Sequence, residues 1–527
     1  MRKWLPLTAV CLGTFMLLVD VTIVVVALPD MAGSLHTSFA DLQWVMDIYA
    51  LALAALLLGL GSLADRIGHR QVYMGGVALF ALASLACGLA TDPAVLIAFR
   101  GVQGVGGAAM LATTTALVAR LYQGRDRGVA FGAWGAVSGA ASAAGPILGG
   151  LLTEYLDWRW IFFVNLPISV LAIAMTARFV PAHGGGAHGG AAGGARGRGI
   201  DLPGMVTFTV AAGALTYALI KGADYGWSSG RTLGLFGLAV LALLVFLVLE
   251  PRRAQPMLDL ALFRRGSFTG LMIVAVLLSV AAFSYLAYTS LWLQSVRGMG
   301  PVTAGLACLP MSGASFVFAS LGGRYLQGIS PRVSLGVGML LIGGGALLMT
   351  VIGAGSTWTV LVAGFLATGV GVGLSMPVLA STAMAAVPPE RAGMASGAVN
   401  TARQLGNALG IAVLGVVFHA GVAGSLRDHG SALPADALAG GQAGPLIAHA
   451  APERRGVVRE MVHIAFADGL RDVFWVSGAL GVLGGVVALL LVRRSSAPAQ
   501  GAPRQGREAA SNGGSAAGRD QPQTARA

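Results

Sequence analysis

Long apolar stretches dominate the chain, and short polar segments punctuate them. Runs near 5–28, 42–64, 71–90, 95–118, 129–152, 160–179, 202–220, 232–249, 268–293, 302–321, 332–352, 358–382, 393–419 and 473–492 each approach or exceed the length that crosses a bilayer. They predict fourteen membrane-spanning helices and an all-α, polytopic membrane fold. Composition agrees: of 527 residues, 56% are hydrophobic and 11% charged, against about 25% charged in a soluble domain. The start, "MRKWLPLTAV", imitates a signal peptide. Its apolar run is too long and lacks a small-residue cleavage site, so it reads as an uncleaved first span.

An even number of spans puts both termini on one side, and the loop charges say which. With the N-terminus inside, the inner segments hold 23 Lys/Arg and the outer segments 9, of which 5 belong to one long loop. That is the positive-inside bias, and it predicts N-in, C-in topology in a cell membrane, as in a bacterial cytoplasmic membrane. The formal charge of +12 therefore lies in connecting loops. It forms no patch or aromatic-interleaved groove, which excludes nucleic acid as a partner. Arginine outnumbers lysine 32 to 2, a coding bias and not chemistry. Cys11, Cys87 and Cys308 all fall in apolar runs, without disulfide or zinc spacing. His183 and His188 offer only a weak metal site in a glycine-rich loop.

The layout that follows is an N-terminal six-helix bundle (1–180), a flexible glycine-rich linker (181–201), two inserted spans with an inner loop (202–266), and a C-terminal six-helix bundle (267–494). The second bundle carries the long outer loop 421–472, and a disordered tail occupies 495–527. The linker contains "HGGGAHGGAAGGARGRG". A faint repeat supports two bundles. "GSLADRIGHRQV" joins spans two and three, and "LGGRYLQGISPRV" joins spans ten and eleven. Repeated bundles of this kind place a substrate site between them near mid-membrane. In the outer loop, Val458, Met461, Val462 and Ala465 share one helical face. Two readings stand: a short helix at the membrane interface, or one packed on the bundle surface.

Four charged residues lie well inside the spans: Asp20, Asp47, Arg100 and Arg403. A carboxylate at that depth costs about 2.5–3.5 kcal/mol on insertion scales, so it needs partners or a function. At about 1.5 Å of rise per residue, Asp20, Asp47 and Arg100 share one depth band in the outer half of the first bundle. They are expected to share one environment with cavity water. Desolvation and a fixed guanidinium pull a carboxylate's proton affinity in opposite directions, which suits proton loading and release. The competing reading is a permanent ion pair that fixes packing, with Asp47 simply wet at the outer surface. On span thirteen, Asn400, Arg403, Gln404 and Asn407 form one polar face. It lines a central cavity or hydrogen-bonds to neighbouring helices, because it cannot face lipid. Tyr285, Tyr288, Thr289 and Trp292 share one face that suits an aromatic or amphipathic ligand, and an interfacial aromatic belt explains Trp292 equally well. "GVQGVGG" follows no strand and is no dinucleotide fingerprint, and no phosphate-binding P-loop occurs, so ATP is not used directly.

Six motifs together resemble the major facilitator superfamily, and within it the fourteen-span drug:proton antiporter branch. "GSLADRIGHR" (61–70) is similar to the family's loop motif, with His69 at a usually basic position. "RGVQGVGGA" (100–108) is similar to its fourth-span motif. "AGPILGG" (144–150) is similar to its antiporter motif, with Ala141 where a glycine is usual. "DVTIVVVALP" (20–29) is similar to its first-span motif, with Val25 replacing asparagine. "WRWIFFVNLP" (158–167) and "GMASGAVNTARQLGNALG" (393–410) also match the branch.

The resemblance implies an alternating-access exporter of amphipathic small molecules, such as antibiotics or toxic metabolites, driven by the proton gradient without a cofactor. It assigns proton coupling to Asp20 and Arg100. It assigns an inner gate to Asp65, Arg66 and Arg70, with Asp65 approaching a helix N-terminus expected near Pro331. It assigns shaping of span five to Gly145, Pro146, Gly149 and Gly150. The alternatives are a proton-symport importer on the same fold, or a membrane receptor or embedded enzyme. The enzyme lacks a nucleophile–base or metal constellation, and the receptor lacks a soluble ligand domain. The expected partners are substrate, protons and lipid, and nothing in the sequence demands an oligomer.

Overall fold

The computed structural model of the chain describes residues 2–35, 39–181, 201–253, 256–325 and 329–492. Almost all of the expected linker, with His183 and His188, and the expected tail lie outside these residues, as do the side chains of Val25 and Pro146. The described residues contain helices and turns and no strand.

The first bundle consists of α1 (Leu5–Ser34), α2 (Phe39–Ile67), α3 (His69–Gly88), α4 (Pro93–Leu121), α5 (Gly124–Tyr155) and α6 (Trp160–Phe179, with a break at Val164). Next come α7 (Leu202–Tyr225) and α8 (Gly230–Leu249). The second bundle holds α9 (Gly266–Val296), α10 (Leu309–Tyr325), α11 (Pro331–Leu348), α12 (Val362–Ala385), α13 (Ala392–Asp428) and α14 (Arg455–Leu491). Among the described residues, twelve helices are long and apolar enough to cross a membrane. Helix α5, with 32 residues, and α10, with 17, stand beside those twelve at the two remaining expected positions.

Local chemistry sets several helix starts. The Asp92 carboxylate accepts from Ala94 N at 2.8 Å and Val95 N at 3.4 Å, with Pro93 in the first turn of α4. Asp201 caps α7 in the same way through Gly204 N at 3.0 Å. Between α2 and α3, Gly68 adopts φ +109°, a conformation that side chains rarely tolerate, and so permits the tight turn.

The two bundles repeat one packing plan. Helix α1 packs on α5, α2 on α4 and α3 on α4; correspondingly α9 packs on α13, α10 on α12 and α11 on α12. The bundles meet through the same swap: α2 lies against α13, and α10 against α5. At the first crossing the backbones touch. A Cβ on Gly61 would collide with the Gly393 carbonyl, and one on Gly393 with the Gly61 carbonyl. The inserted hairpin leans on α2 and α13 through α7. Helix α8 presents Leu238, Val240, Leu241, Leu244 and Val248 outward, an apolar surface suited to lipid.

Two helix ends differ from the hydropathy reading. The stretch around Val458 to Ala465 is no separate interfacial helix. It is the opening of α14, with Val462 and Ala465 fully buried. Nothing between Arg455 and Leu491 breaks the helix, and Arg471 Nη2 ties it to the Ile352 carbonyl at 2.9 Å. Helix α13 likewise runs 37 residues to Asp428, beyond the apolar run that ends near 419.

Candidate functional site

Asp20 sits on α1 at 0% exposure and Arg100 on α4 at 1%. Arg100 Nη1 donates to Asp20 Oδ2 at 2.6 Å and to Gln103 Oε1 at 2.6 Å, while its Nε donates to the Val45 carbonyl at 3.0 Å. The other carboxylate oxygen accepts from Gln103 Nε2 and from Asn165 Nδ2 of α6, each at 3.0 Å. Both amides also donate to Ser84 Oγ of α3, at 2.8 and 3.3 Å. The guanidinium lies 4.3 Å from the centre of the Tyr49 ring on α2. Every helix of the first bundle except α5 thus contributes to one closed circuit. Charge-assisted bonds of this kind offset the desolvation of both ions.

Asp47 does not join this circuit. Its carboxylate lies 3.7 Å from Lys221 Nζ on α7. Lys221 also stands 4.9 Å over the Trp44 ring, which stacks on Tyr217. Depth along the helix was shared with Asp20, but azimuth was not: Asp47 faces the inserted hairpin.

The residues expected to form a gate, Asp65, Arg66 and Arg70, lie at the end of the helices that also carries Arg120 and Arg391. Asp65 accepts from Gly393 N through one oxygen and from Met394 N through the other, both at 2.7 Å. It therefore takes the N-terminus of α13, not the one near Pro331. The swapped pairing explains this, since α2 lies against α13 and the turn before α11 belongs to the other crossing. His69 Nε2 stands 3.1 Å from Asp65 Oδ1. Arg70 Nη2 holds the Ala177 carbonyl at 2.7 Å, inside the first bundle, and Arg66 lies in the last turn of α2. Arg120 Nη2 donates to the Pro389 carbonyl at 2.8 Å, a second link across the bundles. Helix α5 runs unbroken through Gly145, Pro146, Gly149 and Gly150. A Cβ on Gly145 would strike Thr22 of α1, and one on Gly150 would strike Val302. Gly149 gives its carbonyl to Thr153 Oγ1 at 2.6 Å.

Between the bundles lies a small pocket of about 10 Å³, lined by Thr115, Trp134, Met376, Leu379, Asn400 and Arg403 among others. It holds one water at most. Of the expected polar face, Asn400 and Arg403 line it, whereas Gln404 and Asn407 are half-buried elsewhere on α13. Tyr285 and Tyr288 are not in its lining. Tyr285 is wholly buried against Phe474 of α14, and Tyr288 donates to the Ile411 carbonyl within the second bundle.

Sequence reasoning centred on charge left Gln103, Asn165, Ser84, Tyr49 and Lys221 without roles. Gln103 and Asn165 stood inside the quoted motifs; Ser84 and Tyr49 carry no signal in an apolar run.

The sequence profile described as Major Facilitator Superfamily matches residues 10–411. The chain is 38% identical over 428 residues to the multidrug resistance protein Stp of Mycobacterium tuberculosis, covering 81% of this chain and 78% of that one. It is 34% identical over 521 residues to the tetracenomycin C resistance and export protein of Streptomyces glaucescens, covering 96% and 94%. The solved proton:xylose symporter XylE superposes with a TM-score of 0.61 at 13% identity, over 93% of this chain and 96% of that one, a likeness of fold.

Proposed function

The chain belongs to the major facilitator superfamily, and on that premise we propose that it exports amphipathic small molecules in exchange for protons. It is a multi-span transporter of the cell membrane and not an enzyme. Beyond that, the reading is of a fourteen-span antiporter with both termini in the cytoplasm. The lengths of α5 and α10 and the basic charge at the Asp65 end support it. The relatives' names, resistance and export, support the outward direction.

One observation carries the exchange: a wholly buried carboxylate, Asp20, bonded across α1, α4 and α6 to Arg100, Gln103 and Asn165. In this conformation the carboxylate is dry and satisfied. Proton exchange then belongs to another arrangement of the helices, in which the circuit opens to water and Arg100 remains as the fixed charge. Asp65 on the α13 N-terminus is the latch of the closed inner side, and its release is the step that opens the cleft inward.

The experiment starts from drug sensitivity of cells with and without the gene, which supplies a substrate. Everted membrane vesicles are then given a preset inside-acid gradient. Addition of that substrate is expected to dissipate the gradient; uptake that leaves it intact contradicts exchange.

A further inference from the structure

We infer that the cleft pocket at Arg403 receives an acidic group, so that the preferred substrates are organic acids carrying a carboxylate or a comparable anion. This rests on reading the cleft as the substrate path. The charged groups inside the spans do not balance once their partners are known. Asp20 is matched by Arg100 at 2.6 Å and Asp47 by Lys221 at 3.7 Å. Among the described residues, Arg403 has no carboxylate within ion-pair distance, and its Nε has no hydrogen-bond partner. Its one hydrogen bond among the described residues is a long 3.4 Å approach of Nη1 to Asn400 Oδ1. It lies about 16 Å along α13 from Ala392, close to mid-membrane, at 1.5 Å per residue.

A second group points the same way. Trp134 of α5 is 3% exposed and its indole Nε1 has no partner, and it lines the same pocket. Guanidinium and indole donate and do not accept. Thr115 in the same wall is already bonded to Ser396. Two donor groups, one from each bundle, therefore line one space in which Asn400 Oδ1 makes only a long contact to Arg403 Nη1, and Arg403 Nε and Trp134 Nε1 have no acceptor among the described residues. A buried donor left unmade is costly, and an anionic oxygen satisfies both at once. The pocket's size means that an organic acid enters only when the bundles part. Its acid group then takes the space between Arg403 and Trp134, while Met376 and Leu379 meet its apolar body.

The test uses the full chain, purified and in proteoliposomes, with a fluorescent anthracene carboxylate and its neutral carboxamide as probes of one shape. The wild type is expected to bind the carboxylate about tenfold more tightly, the effect of one charged hydrogen bond. Arg403→Gln is expected to cut that ratio to about twofold or less, and Arg403→Lys to keep most of it. Trp134→Phe lowers the ratio by a smaller factor. Equal binding of both probes by the wild type, or a ratio that Arg403→Gln leaves unmoved, overturns the inference. If Arg403→Gln fails to fold, the wild-type ratio together with Trp134→Phe decides. A chloride titration separates sources. Chloride that leaves the carboxylate bound supports an organic acid site, and chloride that displaces it at matched concentration assigns the pocket to a small inorganic anion and overturns it. The two readings fail separately. A carboxylate preference without proton-driven flux in the same proteoliposomes removes the exchange and leaves this site, and proton-driven flux without the preference does the reverse.

Discussion

Two arginines lie deep in this molecule, and their surroundings are opposites. Arg100, inside the first bundle, is held by a carboxylate, an amide and a backbone carbonyl and lies over an aromatic face. Arg403, at the contact between bundles, has among the described residues one long hydrogen bond and a donor nitrogen without a partner. Sequence gives both the same appearance, a guanidinium in an apolar span. A satisfied charge fixes a structure and sets the proton affinity of its partner. On the inference drawn above, the unsatisfied donor of Arg403 is kept, at the expense of stability, for a ligand that comes and goes. On the proposed reading, the first bundle carries the coupling circuit and the cleft carries the recognition.

Substitutions sharpen this contrast. The largest effect is expected from Arg100→Gln, which strands the Asp20 carboxylate in the bundle and removes about 3–5 kcal/mol. Thermal unfolding of the purified protein, followed by loss of the monodisperse species, reads it. The opposite sign is expected at the other arginine: Arg403→Met raises stability by about 0.5–2 kcal/mol in the same assay. If both substitutions destabilise equally, the contrast is lost. At the latch, Asp65→Asn leaves the α13 N-terminus with a weaker cap, worth about 1 kcal/mol. Transport is expected to slow a few-fold with substrate preference unchanged, and an unchanged rate counts against the latch. The smallest effect is assigned to Asp47→Asn. Asp47 serves the contact between α2 and the inserted hairpin, so proton-driven exchange should persist. Its loss would return Asp47 to the coupling circuit.

Much of the architecture was legible because a bilayer leaves few options: an apolar run of sufficient length is a helix. The ends were less so. Helices α13 and α14 continue far past their apolar runs, since hydropathy reports contact with lipid and not the continuity of backbone hydrogen bonds. At the site, Asp20 and Arg100 stood out as charges where charge is expensive. Ser84, an ordinary neutral residue in α3, became visible only when packing brought it to Gln103 and Asn165. The partner of Asp65 was beyond reach for another reason. Helix N-termini are common, and which one α2 meets depends on the swapped pairing of the bundles. Depth estimates placed Asp47 with Asp20, but the direction in which a side chain leaves its helix separated them.

The central claim is that Asp20 carries the exchanged proton. It is tested most directly by measuring substrate movement in everted vesicles from cells expressing Asp20→Asn, with and without an imposed proton gradient. Gradient-driven accumulation is expected to vanish while exchange of labelled for unlabelled substrate continues, because the amide keeps the shape of the carboxylate but binds no proton, although its nitrogen cannot replace an oxygen that accepts from Arg100, Gln103 or Asn165. Accumulation that still follows the gradient in the Asn variant would contradict the account.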